Sequence, residues 1–458
     1  GGRTCMGTVM SGSPNGSTAV AAEETSSLIR TPADGTAHKG VVPTGGSLLL
    51  AELPRWATRR SITVALLSAS CCVEAFGYTI CVPFLTTHLR STYGISESRA
   101  GLVFISYTVG SVASTPLVEA VIGAVDCNGA ICASLVALGV SQVAFIFAPT
   151  VSLLVAARFV GGVGAGMTWS TVLTACHHLS GTEEGGEMGA LFGIVLSAVS
   201  VGTMAGPALG GALYSYGGWS VPFACVTLIC FGGAAAVAAF LPSFSRAHAG
   251  GPPHCKGGAC GSAAIELVLV LVLVMAGGVL FSSIDTVLPM DLEDRFQGSS
   301  VLSGTLFLAV AVCYGAAAPY FGAMADRLGN GLLLASAATV TLSAALVGFA
   351  HATARWQLFA VAVVFGASGT AQLTPASTLL EEVVPVALHD HPTFGYALFN
   401  CAYVTGMAVG PGTLSALTES LGFGRASVVL GVVTTACAVV AAVGIRVARD
   451  RRADSSAV

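Results

Sequence analysis

Apolar residues along this chain fall in runs too long for ordinary soluble secondary structure. Twelve runs of about 18 to 25 residues can be drawn, at roughly 61–84, 96–118, 129–148, 150–174, 188–214, 219–241, 264–289, 301–322, 331–350, 356–379, 393–416 and 425–447. Each is long enough to cross a hydrocarbon core of about 30 Å as an α-helix. The pattern predicts an all-α membrane protein with twelve transmembrane helices. A polar interval at 242–263, with Pro, Gly, His and Lys256, separates the sixth run from the seventh. It divides the chain into six-helix bundles over 55–241 and 264–447, joined by a central loop over 242–263. Residues 1–54 are rich in Gly, Ser, Thr and Ala without sustained periodicity and read as a disordered tail, and 448–458 form a short tail at the other end. The first tail has no apolar core before a small-residue cleavage site, so it does not read as a secretory signal.

Composition points the same way. Hydrophobic residues make up 54% of the chain and charged residues 9%, against about 25% charged in soluble proteins. Outside the distal tail and the helices, ten basic residues fall on the side of the termini: Arg55, Arg59, Arg60, Arg246, Lys256, Arg327, Arg446, Arg449, Arg451 and Arg452. Five fall on the other side: Arg90, Arg99, Arg295, Arg355 and Arg425. The positive-inside rule therefore places both tails and the central loop in the cytosol. The net charge of −4 adds little, because the charges are divided between two aqueous compartments. There is no basic surface of the kind that binds nucleic acid. Most of the fourteen cysteines lie within apolar runs and read as packing residues, as Cys71, Cys72, Cys81, Cys230 and Cys313 do. Cys255 and Cys260 with His254 give only a faint metal signal, and no metal is expected.

Residues 193–211, GIVLSAVSVGTMAGPALGG, place glycines at 193, 202, 206, 210 and 211 and a proline at 207. Gly202 and Gly206 lie four apart on one helical face, where missing side chains let a neighbouring helix approach, and Pro207 bends the helix. The pattern returns six segments later as Gly406-x3-Gly410-Pro411, the relationship of two parallel six-helix repeats. The first run resembles the antiporter motif in the fifth helix of drug:proton antiporters of the major facilitator superfamily. The stretch GAMADRLGN, with Gly322, Asp326, Arg327 and Gly329, resembles that superfamily's cytosolic loop motif. There the resemblance implies that Asp326 and Arg327 brace two helices. The corresponding first-half loop, EAVIGAVDCNG from Glu119, keeps neither the Asp-Arg pair nor the glycine pattern. Arg158, followed by FVGGVGAG, resembles the buried arginine of the fourth-helix motif R-x-x-Q-G-x-G, with Gly161 where Gln is usual. The alternative is an arginine near the helix end that snorkels to the interface.

Charge inside the apolar runs carries the candidate chemistry. A carboxylate near the bilayer centre costs several kcal/mol and usually faces a cavity. Glu74 sits midway along the first segment with no basic residue within a dozen positions, and Asp285 lies toward the far end of the seventh. The plainer alternatives are a protonated carboxyl in a packed interface for Glu74 and a helix-end polar residue for Asp285. Tyr78, Tyr107, Tyr314, Asn400 and Tyr403 are candidate cavity-lining residues able to meet an ammonium by cation–π contact or hydrogen bonding.

These contexts narrow the resemblance. Glu74 with Pro83 nine residues on, Gly101-Leu-Val-Phe, the glycine run, Asp285 with Leu288-Pro289, and Phe394-Gly395 leading to Gly410-Pro411 together resemble the vesicular amine transporters, from about Leu66 to Leu421. The resemblance implies that Glu74 binds a cationic amine and that Asp285 takes a helix-seven substrate or proton role. Other positions depart. Thr370 stands near the family's tenth-helix aspartate, Asn400 at the eleventh-helix aspartate and Tyr107 at a second-helix lysine. A polyamine-type or divergent relative fits this set better than a monoamine exchanger with a full proton relay.

The expected function is proton-coupled antiport of small organic cations, amines or polyamines, from cytosol into an acidic organelle or out of the cell. Gly202, Gly206, Pro207, Gly210, Gly406, Gly410, Pro411, Arg158, Asp326 and Arg327 would serve coupling and gating, with the bent fifth and eleventh helices at the interface of the two halves. No P-loop or metalloprotease pattern is present, so the proton gradient replaces any cofactor and no enzyme activity is expected. A multidrug exporter, a neutral-solute uniporter of the same superfamily, or a nontransporting receptor or scaffold remain open. Glu24-x3-Leu28-Ile29 fits the acidic-dileucine form read by sorting adaptors, which favours an endosomal, vesicular or vacuolar membrane over the plasma membrane.

Overall fold

A computed structural model of the chain describes residues 59–94, 97–180, 187–241, 257–296, 300–388 and 392–457. The sorting signal at Glu24, Leu28 and Ile29 lies outside them. In chain order the helices are α1 (Arg59–Thr79), α2 (Leu85–Tyr93), α3 (Glu97–Phe147), α4 (Val151–Ser180), α5 (Met188–Gly217) and α6 (Ser220–Phe240). The second half follows as α7 (Gly257–Phe296), α8 (Ser300–Leu328), α9 (Gly331–His351), α10 (Arg355–Ala387), α11 (Pro392–Leu421) and α12 (Phe423–Ala457). The described residues contain no strand.

The predicted segments map onto these elements with four differences. The first segment breaks after Thr79, and the chain restarts as the short helix α2 beyond the span. The second and third segments run together as α3, which is interrupted at Asp126 by a non-helical conformation with φ 61° and ψ 174°. Helix α7 starts at Gly257, inside the interval predicted as loop 242–263. Helix α12 runs through the predicted tail to Ala457. That last extension has an electrostatic cause. Arg449 reaches Glu266 on α7 and Glu382 on α10, at 2.6 Å each, and Arg452 lies 3.2 Å from Glu266. Arginines counted only for topology therefore also tie helices together, and they neutralise a carboxylate buried in the first turns of α7.

Among the described residues, ten helices are long and apolar enough to cross a membrane, with the two passes of α3 taken as one. Helix α11, which carries Asn400, Tyr403 and several hydroxyl residues, is the remaining long helix. Large apolar side chains such as Leu228, Phe147, Val432 and Val440 point outward. An apolar perimeter of this extent is stable only against lipid.

Glycines set how closely the helices meet. A Cβ at Gly202, Gly206 or Gly210 would collide with Cys72 or Thr79 of α1 or with Ile80 just beyond it, and one at Gly406 or Gly410 would collide with Met275, Val279 or Ser282 of α7. The two glycine runs thus do the same job in the two halves, as their spacing predicts. They do it inside each bundle, however, and not at the interface of the halves where the bent helices were expected to use them. Helices α5 and α11 do lie at that interface, but through other residues. Gly189 and Gly193 of α5 abut Gly322 and Ala318 of α8, and α11 packs on α3 and α4.

The contacts between bundles gather on the side where α1 starts and α12 ends, the side predicted to be cytosolic and here called inner. There Val118 of α3, Met167 of α4 and Ala397 of α11 form one buried apolar cluster. Helices α1 and α7, which carry the two intramembrane carboxylates, share no packed face among the described residues. The halves are closed at the inner side and part toward the outer one.

Candidate substrate and proton site

Glu74, Tyr78 and Cys81 recur at i, i+4 and i+7, so one face of the first segment presents all three. Glu74 is only 6% exposed. Its carboxylate accepts from Tyr107 Oη–H of α3 at Oε1 (2.5 Å) and from Trp169 Nε1–H of α4 at Oε2 (2.9 Å). Each oxygen therefore has a donor from a different helix, which stabilises a charge that burial alone would disfavour.

Arg158 is 1% exposed and sits deep in the same bundle. It donates through Nη2 to the Tyr78 carbonyl at 2.8 Å and to Cys81 Sγ at 2.9 Å, and its Nε has no partner. Four rings surround the guanidinium, with centroids 5.1 Å (Tyr107), 5.3 Å (Tyr78), 5.6 Å (Phe145) and 5.9 Å (Phe104) from Cζ. Arg158 does not snorkel to the interface. Gly161 explains part of this arrangement, since a Cβ there would meet Ser141 Oγ at 2.7 Å, and Tyr107 Cε2 lies 3.6 Å away. The position has no room for the glutamine of the family motif, and the Tyr107 ring lies beside it. Tyr107 thus touches both charges, with the cation over its ring and the carboxylate on its hydroxyl.

Asp285 of α7 is exposed. It lies close enough to Tyr403 of α11 and to Tyr78 of α1 to act on both electrostatically. Tyr403 shares a hydrogen bond with Tyr314 of α8, and Tyr314 packs on Phe281 at 5.1 Å. Tyr78 is the common neighbour of Glu74, Arg158 and Asp285. The structure therefore brings Glu74, Tyr78, Tyr107 and Arg158 into one cluster, with Asp285, Tyr314 and Tyr403 across from it on the opposite bundle. Asn400 is buried and reaches Ser111 Oγ of α3 only at 3.5 Å. Thr370 is buried and bonded to Thr374 at 3.1 Å, so the place of the family's tenth-helix aspartate holds hydroxyls.

The inner closure is polar as well as apolar. Asp326 accepts from Gly189 N (2.9 Å) and Ala190 N (2.8 Å), the first turn of α5. It thereby satisfies orphan donors at a helix N-terminus and sits at the positive end of its dipole. Arg327, expected to share this bracing role, is exposed and forms no hydrogen bond or ion pair with a described residue. Between α4 and α10, Glu381 accepts from Ser180 and lies 3.6 Å from His177 Nδ1. No group of metal-ligating side chains occurs among the described residues.

Sequence reading missed Trp169 and Glu381. Trp169 follows Arg158 by eleven residues, about three helical turns, so both share the face turned to α1. That spacing could have flagged it. Glu381 lies just past the end of the tenth predicted segment, where a carboxylate reads as solvated.

The Major Facilitator Superfamily model matches residues 67–265 and 267–457. The chain belongs to the Major Facilitator Superfamily. It is 25% identical over 356 residues to the chromaffin granule amine transporter of Homo sapiens, covering 73% of this chain and 63% of that protein. It is 23% identical over 347 residues to the human synaptic vesicular amine transporter, covering 73% and 64%. The chain therefore spans slightly less than two thirds of the length of these relatives. Over a shorter stretch of 203 residues it is 30% identical to efflux pump azaK of Aspergillus niger, covering 43% of this chain and 41% of that one. The crystal structure of the human organic anion transporter MFSD10 (TETRAN) superposes with a TM-score of 0.70 at 14% identity, covering 86% of this chain and all of that one. This likeness fixes the fold alone. The expected membership and the resemblance to vesicular amine transporters are borne out, and the chain is a multi-pass membrane protein of a transporter class.

Proposed function

We propose that this protein is a proton-coupled antiporter that moves small organic cations, amines or polyamines, from the cytosol into an acidic organelle or out of the cell. The observation that carries the reading is the pair of carboxylates on the first helices of the two bundles, Glu74 and Asp285. Both act electrostatically on Tyr78. A carboxylate that accepts either a proton or an ammonium, but not both, exchanges one for the other across a pH gradient without further machinery. Rocking of the bundles then alternates access to the site. Arg158 fits this scheme because it balances Glu74 without pairing with it, which leaves the carboxylate free for an incoming cation. The relatives named for granules and synaptic vesicles favour an organellar membrane, and the dileucine-type tail signal would direct adaptors to it.

A multidrug exporter is the second reading, supported by the likeness to a fungal efflux pump. Reconstitution in liposomes with an imposed pH gradient, followed by uptake of labelled spermidine, serotonin and a neutral sugar, tests the proposal. Gradient-driven amine uptake that is lost in Glu74→Gln supports it. Uptake that persists after a protonophore collapses the gradient defeats antiport, and loss confined to Asp285→Asn moves the main site off Glu74. Uptake of unrelated lipophilic cations at equal rates favours the exporter.

A further inference from the structure

We propose that Trp169 is the positioning residue that passes the charge state of Glu74 to the inner closure of the transporter. The proposal rests on the reading of Glu74 as the shared proton and cation site. Its two partners differ chemically. A tyrosine hydroxyl both donates and accepts, so Tyr107 can stay bonded to Oε1 whether or not a proton arrives there. An indole N–H only donates. Trp169 therefore holds Oε2 most strongly as a carboxylate oxygen, and a proton on either oxygen, or a substrate ammonium competing for Oε2, weakens that bond.

The partly buried indole packs directly against the closure. Its ring meets Phe192 of α5 edge to face, at 6.4 Å and 75°, and Phe192 meets Phe399 of α11 in the same manner, at 6.1 Å and 77°. Phe192 and Phe399 are 1% and 2% exposed and belong to opposite bundles. In a packed interior a ring that rotates must displace its neighbour. The chain Glu74–Trp169–Phe192–Phe399 thus runs from the carboxylate to the contact between halves. The empty, ionised carboxylate holds the indole and keeps the inner side shut. A proton or an amine weakens that hold. This is the rule an exchanger requires, because a carrier that reorients with its site empty and charged leaks.

The titratable and charged groups around Glu74 are Cys71 and Tyr78 on α1, Tyr107 on α3, Arg158 on α4 and Cys230 on α6. Of these, only Tyr107 bonds the carboxylate directly.

The test uses Trp169 itself as reporter. In full-length protein whose other three tryptophans, Trp56, Trp219 and Trp356, are replaced by Phe, reconstituted in liposomes, Trp169 emission is followed from pH 8 to pH 5 and on addition of spermidine. The expected result is a shift with acid and with amine that disappears in Glu74→Gln. No shift, or the same shift in Glu74→Gln, overturns the proposal. Separately, vesicles bearing Trp169→Phe, which keeps a ring but has no donor, should dissipate an imposed pH gradient several-fold faster than wild type in the absence of amine. A leak equal to wild type with unchanged coupling also overturns it. If instead Glu74→Gln keeps gradient-driven amine uptake, the reading of Glu74 itself fails, independently of Trp169.

Discussion

Tyr107 donates to Glu74 Oε1 at 2.5 Å. The same ring carries the Arg158 guanidinium on its face, so an aromatic side chain stands between the two intramembrane charges of the N-terminal bundle. A direct ion pair would hold the carboxylate against any incoming cation. Separation by a ring keeps the bundle neutral overall and leaves carboxylate lone pairs available.

Tyr107→Phe separates the two roles of this residue. The phenyl ring keeps the cation–π contact, while the buried carboxylate loses a hydrogen bond of the charged kind, worth about 1.5–3 kcal/mol. Tyr107→Leu removes the ring contact as well, a further loss of about 0.5–2 kcal/mol. Thermal unfolding in detergent should rank wild type above Phe and Phe above Leu. Equal midpoints for the two variants would show that the ring does not stabilise Arg158.

Gly410 and Gly412 lie two residues apart in α11 and should answer substitution differently. A Cβ at Gly410 would run into the Val279 carbonyl and Ser282 Oγ of α7, whereas nothing lies within 4 Å of one at Gly412. Gly410→Ala should therefore destabilise the C-terminal bundle by about 1–3 kcal/mol, the usual cost of overpacking. Gly412→Ala should stay near wild type or gain slightly in helix propensity. Unfolding midpoints of the two variants decide the matter, and equal losses would mean that α11 does not need close approach to α7.

The helix count, the division into halves and the glycine echo were legible because lipid imposes length and small-residue packing imposes spacing on one helix at a time. Glu74 and Arg158 were legible because an intramembrane charge is costly and so rarely incidental. Partners were not legible. That Gly206 faces Thr79 within its own bundle, or that Trp169 meets Glu74, depends on the rotation of one helix against another, and local sequence constrains that rotation weakly. The extension of α12 was hidden for a related reason, since its cause is the buried Glu266 more than 180 residues earlier in the chain.

Asp326→Ala should favour the inward-open arrangement. The carboxylate holds two backbone N–H groups at the start of α5 from across the bundle interface, and its loss removes about 1–2 kcal/mol from the closed state. That is about 5- to 30-fold in the population ratio. Cys176, buried near the inner end of α4, reports on opening through its alkylation rate, read at the peptide level. The rate should rise in Asp326→Ala. An unchanged rate would mean that the apolar contacts alone keep the inner side shut.

Asp126 is the one non-glycine residue with positive φ among the described residues, 61°, at the turn between the two passes of α3. A side chain there costs about 1 kcal/mol or more, and glycine adopts the conformation freely. Asp126→Gly should raise the unfolding midpoint, and a fall would show that the carboxylate supports the turn by more than the strain it carries.

His88 predicts how acid on the outer side acts on stability. It lies on α2, beyond the first span, with its ring stacked on Trp219 at 4.0 Å and Nδ1 3.1 Å from the Tyr214 hydroxyl. Partial burial pulls its pKa below the ordinary histidine value. The unfolded chain, with histidine near about 6.5, takes up the proton first. Unfolding therefore gains protons as pH falls from the ordinary histidine range toward the value His88 has in the fold, and stability declines across that window. His88→Phe keeps the stack on Trp219 and has nothing to titrate. The difference in unfolding midpoint between wild type and His88→Phe, measured from pH 8 to pH 5, should shrink or change sign in favour of the variant as the pH drops. Parallel profiles would mean that protonated His88 gains as much from the indole face as it loses by desolvation.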